Sequence, residues 1–121
     1  MNIGAILHVS VVVADLERAL VFYCGVLGLP QCHERPDLGY PGAWLQVGPQ
    51  QIHLLQVKSV DPTTGRPAHG GRDRHTALAV VGFDALVQRL GEAGIAYTLS
   101  RSGRTALFCR DPDGNTLEFI A

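Results

Sequence analysis

The sequence predicts an α+β fold of two βαβββ modules in tandem, building a curved mixed sheet. Two observations predict it. The order β-branched strand, amphipathic helix, three short strands runs twice along the 121 residues. The two runs also superpose: a shift of 67 lays His8 on His75 and Leu16, Ala19, Leu20 and Tyr23 on Phe83, Leu86, Val87 and Leu90, and a shift of 65 lays His53 on Glu118. Loop variation between copies accounts for the slippage, so an internal duplication is the simplest explanation. The chain therefore divides into module one (1–58), a linker or flap (59–73) and module two (74–121) of a single domain.

In module one, Ile6 to Val13 is a β-branched run, and Asp15 after it suits a helix N-cap. Leu16, Ala19, Leu20, Tyr23, Cys24 and Leu27 form one helical stripe, which Gly28 and Pro30 end. Strands follow near Gln31 to Arg35, Ala43 to Val47 and Gln51 to Val57, with turns at Pro41-Gly42 and Gly48-Pro49. Between the modules, Pro62, Gly65, Pro67, Gly70 and Gly71 suit a linker or mobile flap. Module two repeats the order with a strand over His75 to Val81 and a helix striped by Phe83, Leu86, Val87 and Leu90 and closed by Gly94. Strands near Ile95 to Ser100, Thr105 to Cys109 and Asn115 to Ile120 complete it.

A formal charge of −1 and a pI near 6.5, with arginines spread among acids, give no footprint for nucleic acid or an anionic membrane. The expected partners are a small-molecule substrate and a second copy, as a homodimer. The apolar start has no basic leader and too few uninterrupted apolar residues for a span, which reads as cytoplasmic. Cys24, Cys32 and Cys109 lack metal or disulfide spacing and read as reduced thiols.

Strand alternation places His8 with Ser10 and Val12, His53 with Leu55, His75 with Ala77 and Ala79, and Glu118 with Ile120. Val9, Val11 and Val13, or Leu78 and Val80, face the other way. Taken singly, a histidine on a half-buried strand is most often structural. A carboxylate inside Thr-Leu-Glu-Phe-Ile is costly to bury unpaired, and three imidazoles at duplicated positions would neutralise it best by sharing a cation. His8, His53, His75 and Glu118 are therefore candidate ligands for one divalent metal. Nitrogen and carboxylate donors without thiolate suit Zn, Ni, Co, Mn or Fe(II). Ser10, Leu55 and Ala77, with Trp44 and Gln46 on a shared face, are candidate substrate-binding residues. Arg35, Arg66, Arg72, Arg74, Arg101 and Arg104 are candidates to meet a carboxylate or phosphate.

This layout, with Leu-His-Val-Ser-Val-Val-Val-Ala-Asp-Leu-Glu-Arg-Ala-Leu-Val-Phe-Tyr near the start and Arg-Asp-Pro-Asp-Gly-Asn-Thr-Leu-Glu-Phe-Ile at the end, resembles the vicinal oxygen chelate superfamily. That is the glyoxalase, bleomycin-resistance and dioxygenase group. The resemblance implies that fold, and ligands from the first and last strands of each module, which fall on His8, His53, His75 and Glu118. It implies a glyoxalase-type lyase or isomerase, with Glu118 as the catalytic base. The alternatives are a ring-cleaving dioxygenase, using His8, His75 and Glu118, or a metal-free drug-sequestering protein. Two departures matter. The better-known glyoxalases carry Glu at the His53 position, and they grip glutathione with Arg and Asn where this chain has Val12 and Val57.

Overall fold

A computed structural model describes residues 1–121. The chain forms two compact units, Met1–Ser59 and Val60–Ala121. Each carries its own four-stranded mixed sheet, and the two sheets share one design. In the first, β1 (His8–Val13), β2 (Gln31–Cys32), β3 (Gly42–Val47) and β4 (Gln50–Gln56) take the order β1-β4-β3-β2. In the second, β5 (His75–Ala79), β6 (Tyr97–Leu99), β7 (Ala106–Arg110) and β8 (Thr116–Ile120) take the order β5-β8-β7-β6. The first strand pairs parallel to the last in each sheet, and the remaining pairs are antiparallel. No helix is long and apolar enough to cross a membrane.

The register repeats along with the order. Ser10, His53, Trp44 and Cys32 form one row across the first sheet. Ala77, Glu118, Phe108 and Thr98 form the matching row across the second. The next row reads His8, Gln51 and Gln46 in the first sheet and His75, Thr116 and Arg110 in the second.

The helix of module one departs from the expected single stripe. Asp15 caps it as expected, its Oδ1 accepting from the Arg18 N–H at 3.2 Å, and α1 (Leu16–Leu20) then widens into a π-helical turn (Val21–Val26). The Leu27 N–H donates to the Phe22 carbonyl, five residues back. The extra residue in that turn brings Phe22 into the core beside Tyr23, edge to face at 4.9 Å, while Cys24 and Leu27 end half-buried. With Ala19, these rings and the buried side of the sheet, Val13, Ala43, Leu45, Ile52 and Leu54, make the core of the unit. In the second unit α2 (Phe83–Glu92) buries Leu86 and Leu90, and Gly94 at φ 67° ends the helix where a side chain would be strained.

Several strands are shorter than their apolar runs. The chain pairs from His8 rather than Ile6, and β2 ends at Cys32 rather than Arg35, because a strand extends only as far as a partner can meet it. Residues 66–73, read from sequence as linker or flap, are anchored to the second sheet. Asp73 accepts from Arg66 Nε at 2.8 Å and from Arg110 NH1 at 2.7 Å, and Gly70 packs so closely on the second sheet that an added Cβ would stand 2.7 Å from Thr116 and 2.8 Å from Phe108. Gly70 and its neighbours thus roof part of the face that bears Glu118.

Candidate functional site

The Asp-Pro-Asp-Gly-Asn turn that precedes β8 is held by one buried carboxylate. Asp111 Oδ1 accepts from the backbone N–H groups of Asp113 and Asn115, both at 2.9 Å, and its Oδ2 accepts from the Asn115 amide at 2.8 Å. Gly114 takes φ 84°, where other residues are strained. This turn fixes where β8 begins and so places Glu118 opposite Ala77 and Phe108.

Glu118 is 4% exposed, yet both its oxygens are used. Oε2 lies 3.2 Å from His75 Nε2, and Oε1 lies 3.4 Å from the Arg104 guanidinium. His75 Nδ1 stands 2.9 Å from the Asp73 carbonyl, which can only accept, so Nδ1 carries a proton and Nε2 is the nitrogen turned to the carboxylate. Holding the distal imidazole proton on a backbone carbonyl is how ligand histidines are oriented. The Asp73 carboxylate in turn lies between Arg66 and Arg110, and the Arg66 hydrogen bond holds it far below the ordinary carboxylate range. The Phe108 ring meets His75 edge-on at 5.2 Å.

The first unit orders its pair differently. His53 lies between two rings, stacked on His8 at 4.0 Å and 9° and on Trp44 at 4.5 Å and 8°. Neighbouring strands are about 4.8 Å apart, so rings on three adjacent strands stack without strain. A chain of amides sets the edge of His53. Gln46 Nε2 donates to the carbonyls of Gly48 at 2.7 Å and Gln50 at 3.1 Å, leaving Gln46 Oε1 to accept from Gln51 Nε2 at 3.2 Å. Gln51 Oε1 is then an acceptor, and His53 Nε2 at 2.8 Å must donate. The Nδ1 lone pair of neutral His53 is the one left open. Burial, with the positive fields of His8 and Arg35, pushes His53 below the ordinary imidazole value, so it stays neutral and able to ligate at pH 7.

The predicted ligands thus meet in two pairs, His8 with His53 and His75 with Glu118. Within neither unit do three or more His, Cys, Asp or Glu side chains cluster. Among the predicted substrate-binding residues, Trp44 covers His53, Gln46 spends its amide on the chain just described, and Ser10, Leu55 and Ala77 lie on the ligand-bearing faces. The donor set fits a divalent metal: the first unit offers a neutral imidazole nitrogen, and the second an oriented imidazole whose Nε2 faces a buried carboxylate.

Sequence reasoning passed over Gln51, Asp73 and Thr98. Gln51 lies two residues from His53 and so shares its face, and Asp73 lies two before His75; that spacing was the available signal. Nothing marked Thr98, whose Oγ1 is buried without a hydrogen-bond partner in the row of Glu118. The cysteines are free, and burial with the Asp111 charge raises the Cys109 thiol to about 12, which leaves it inert.

The glyoxalase/bleomycin resistance protein/dioxygenase superfamily matches over residues 5–119. "Glyoxylase I 4" of Arabidopsis thaliana is 28% identical over 98% of this chain and 71% of its own length. "Lactoylglutathione lyase" of Salmonella typhimurium is 30% identical over 95% of this chain and 90% of its own. Among solved structures, a glyoxalase family protein from Bacillus anthracis superposes with a TM-score of 0.80 at 26% identity, covering 99% of this chain and 96% of that one. The fosfomycin resistance protein FosX of Listeria monocytogenes, solved with Mn(II) and a dihydroxypropylphosphonic acid, matches in fold at 0.80 and 15% identity over 99% of this chain and 93% of its own. On the duplicated sheets, their shared register and this match across nearly the whole sequence, the chain belongs to the glyoxalase/bleomycin resistance/dioxygenase superfamily.

Proposed function

We propose that this protein is a divalent-metal-dependent enzyme of the glyoxalase type, a lyase or isomerase acting on a small substrate that presents two adjacent oxygens. His8, His53, His75 and Glu118 would hold the ion, one of Zn, Ni, Co, Mn or Fe(II). When bound, the ion would supply Lewis-acid polarisation of the substrate oxygens. The observation that carries the reading is the His75–Glu118 pair: a carboxylate only 4% exposed, 3.2 Å from an imidazole whose other nitrogen is tied to a backbone carbonyl. The names of the lyase relatives support the reaction type.

Glu118 is the catalytic residue. Its carboxylate faces His75 Nε2 and would take a proton from carbon beside the substrate oxygens and return it to the neighbouring carbon. Trp44 offers a flat wall beside His53, and Ser10, Leu55 and Ala77 complete the lining. With one carboxylate in the ligand set, a symmetrical two-base mechanism is excluded. Val12 and Val57 stand where a glutathione grip needs polar groups, so the substrate reaches this site without that anchor. The cytoplasmic location and the homodimer belong to the same proposal, and light scattering reads the second directly.

Metal analysis of protein purified without added metal tests the reading. The wild type should carry a stoichiometric divalent ion, and His8→Ala and Glu118→Ala should lose it. Wild type without metal, or variants that keep it equally well, would move the assignment to metal-free ligand sequestration.

A further inference from the structure

Three arginines are half-buried in this protein: Arg35, Arg66 and Arg110. Arg66 and Arg110 both close on Asp73. Arg35 has no carboxylate. One NH2 donates to the Tyr40 carbonyl at 2.9 Å, the guanidinium carbon stands 5.2 Å from the Tyr40 ring centroid, and its other N–H groups meet no protein acceptor. A guanidinium kept partly out of water without an anion is costly, and its fork is shaped for a planar or tetrahedral oxyanion.

Its place was cleared for it. Gly42 shares a face with Trp44 and Gln46, opposite the buried Ala43 and Leu45, and pairs with Leu55. A Cβ on Gly42 would stand 2.8 Å from Arg35 NH2 and 3.0 Å from its guanidinium carbon. The guanidinium therefore lies over the face that bears His53, two residues along the strand from the Trp44–His53 pair. At about 3.3 Å per residue that is on the order of 7 Å from His53.

We propose that Arg35 anchors a second, separate oxyanion on the substrate, a carboxylate or phosphoryl group carried on a short spacer from the adjacent oxygens that meet the metal. This rests on the metal-site reading above. It narrows the substrate class to small vicinal-oxygen compounds with an anionic tail, and it places the grip on the first sheet at Arg35 rather than at Val12 or Val57.

Simple chelators separate the parts. The zinc-loaded full-length protein is titrated calorimetrically with acetohydroxamate, with glutaric monohydroxamate and with 3-phosphonopropionohydroxamate. One tailed probe should bind wild type at least about tenfold more tightly than acetohydroxamate, and which tail gains tells carboxylate from phosphoryl. Arg35→Gln should erase that gain while leaving acetohydroxamate binding unchanged, which also reports that the variant folds. Arg35→Lys should keep only part of it, since a point charge lacks the fork. Equal binding of all three probes to wild type, or an undiminished gain in Arg35→Gln, overturns the Arg35 anchor and leaves the metal reading standing. If the protein holds no zinc and acetohydroxamate does not bind, the metal reading fails. Glutarate and phosphate titrated against the Arg35 Nε–H signal in metal-free protein then decide the anchor: a saturable shift supports it, and no shift removes it.

Discussion

At one row of the pairing register the first module carries Ser10, His53, Trp44 and Cys32, and the second carries Ala77, Glu118, Phe108 and Thr98. The same backbone thus presents an imidazole in one copy and a carboxylate in the other, and each copy stabilises its group in its own way. The first stacks rings: Trp44, His53 and His8 lie nearly parallel, and no acid balances Arg35. The second balances charge: Glu118 has His75 and Arg104, and Asp73 has Arg66 and Arg110. The burial pattern follows. β3 and β4 alternate between buried and half-buried side chains, whereas most of β7 and β8 is buried on both faces, Gly70 covering part of the ligand side. A duplicated fold therefore yields one half with an unanswered positive charge and one half that is electrostatically closed. With Arg35 as the proposed anchor, substrate recognition by charge would belong to the first.

The largest expected effect tests that closure. The row next to Glu118 places Arg110 where the first sheet has Gln46. Arg110 binds Asp73, Gly114, Thr116 and Pro67 together. Asp73→Ala leaves two half-buried guanidiniums without their acid and should cost about 3–5 kcal/mol in chemical denaturation, whereas Gln46→Ala should cost nearer 1. Equal costs would mean that the two modules are stabilised alike. The pH dependence has a definite sign. Asp73 ionises well below its ordinary 3.8 in the folded protein, so its contribution is fully present above that value and drains away as pH falls below it. Asp73→Asn should flatten that acid limb.

A middle-sized effect sharpens the contrast in charge. Gly42 and Ala106 occupy equivalent places, opposite Leu55 and Ile120. A methyl group is accommodated at Ala106, which is 2% exposed, while at Gly42 it would meet the Leu54 carbonyl and the Arg35 guanidinium. Gly42→Ala should cost about 1–3 kcal/mol. Arg35→Ala in the same chain should recover part of that, and full additivity in the double-mutant cycle would show that Gly42 was not clearing space for Arg35.

Much of this architecture was legible because it rests on periodicity. The two shifts, 67 laying His8 on His75 and 65 laying His53 on Glu118, are the offsets that the first and last strands of the sheets display in their register, since strand alternation and hydrophobic stripes are local rules. The π-helical turn was not legible: it depends on Phe22 and Tyr23 both reaching one core, which no local stripe encodes. Nor could the sequence distinguish Arg35 from five other arginines, because its burial depends on the absence of a side chain at Gly42. For the candidate ligands, alternation gives the sheet face each side chain takes but not its hydrogen bonds. Gln51 and Asp73 each lie two residues before a candidate ligand, and what they do depends on which atom they offer, a side-chain oxygen in one case and a backbone carbonyl in the other.

Those two hydrogen bonds imply the smallest difference between the modules, and the most local. Gln51 Oε1 accepts at 2.8 Å from His53 Nε2, so neutral His53 carries its proton on Nε2. The Asp73 carbonyl accepts at 2.9 Å from His75 Nδ1, so that nitrogen keeps its proton. Duplicated modules therefore hold their histidines through opposite ring nitrogens. Long-range proton–nitrogen correlation spectra of metal-free protein should place His53 in the Nε2–H form and show a protonated Nδ1 in His75. Gln51→Leu removes the only acceptor on the His53 edge while leaving its stacking partners in place. It should cost about 1 kcal/mol and let His53 sample both tautomers, with His75 unmoved. A wild-type His53 found in the Nδ1–H form would mean that the amides of Gln46 and Gln51 run the other way. His53 Nε2 would then accept from the Gln51 amide, so its lone pair would be spent on that hydrogen bond, and both modules would hold their histidines in the Nδ1–H form where the structure makes them differ.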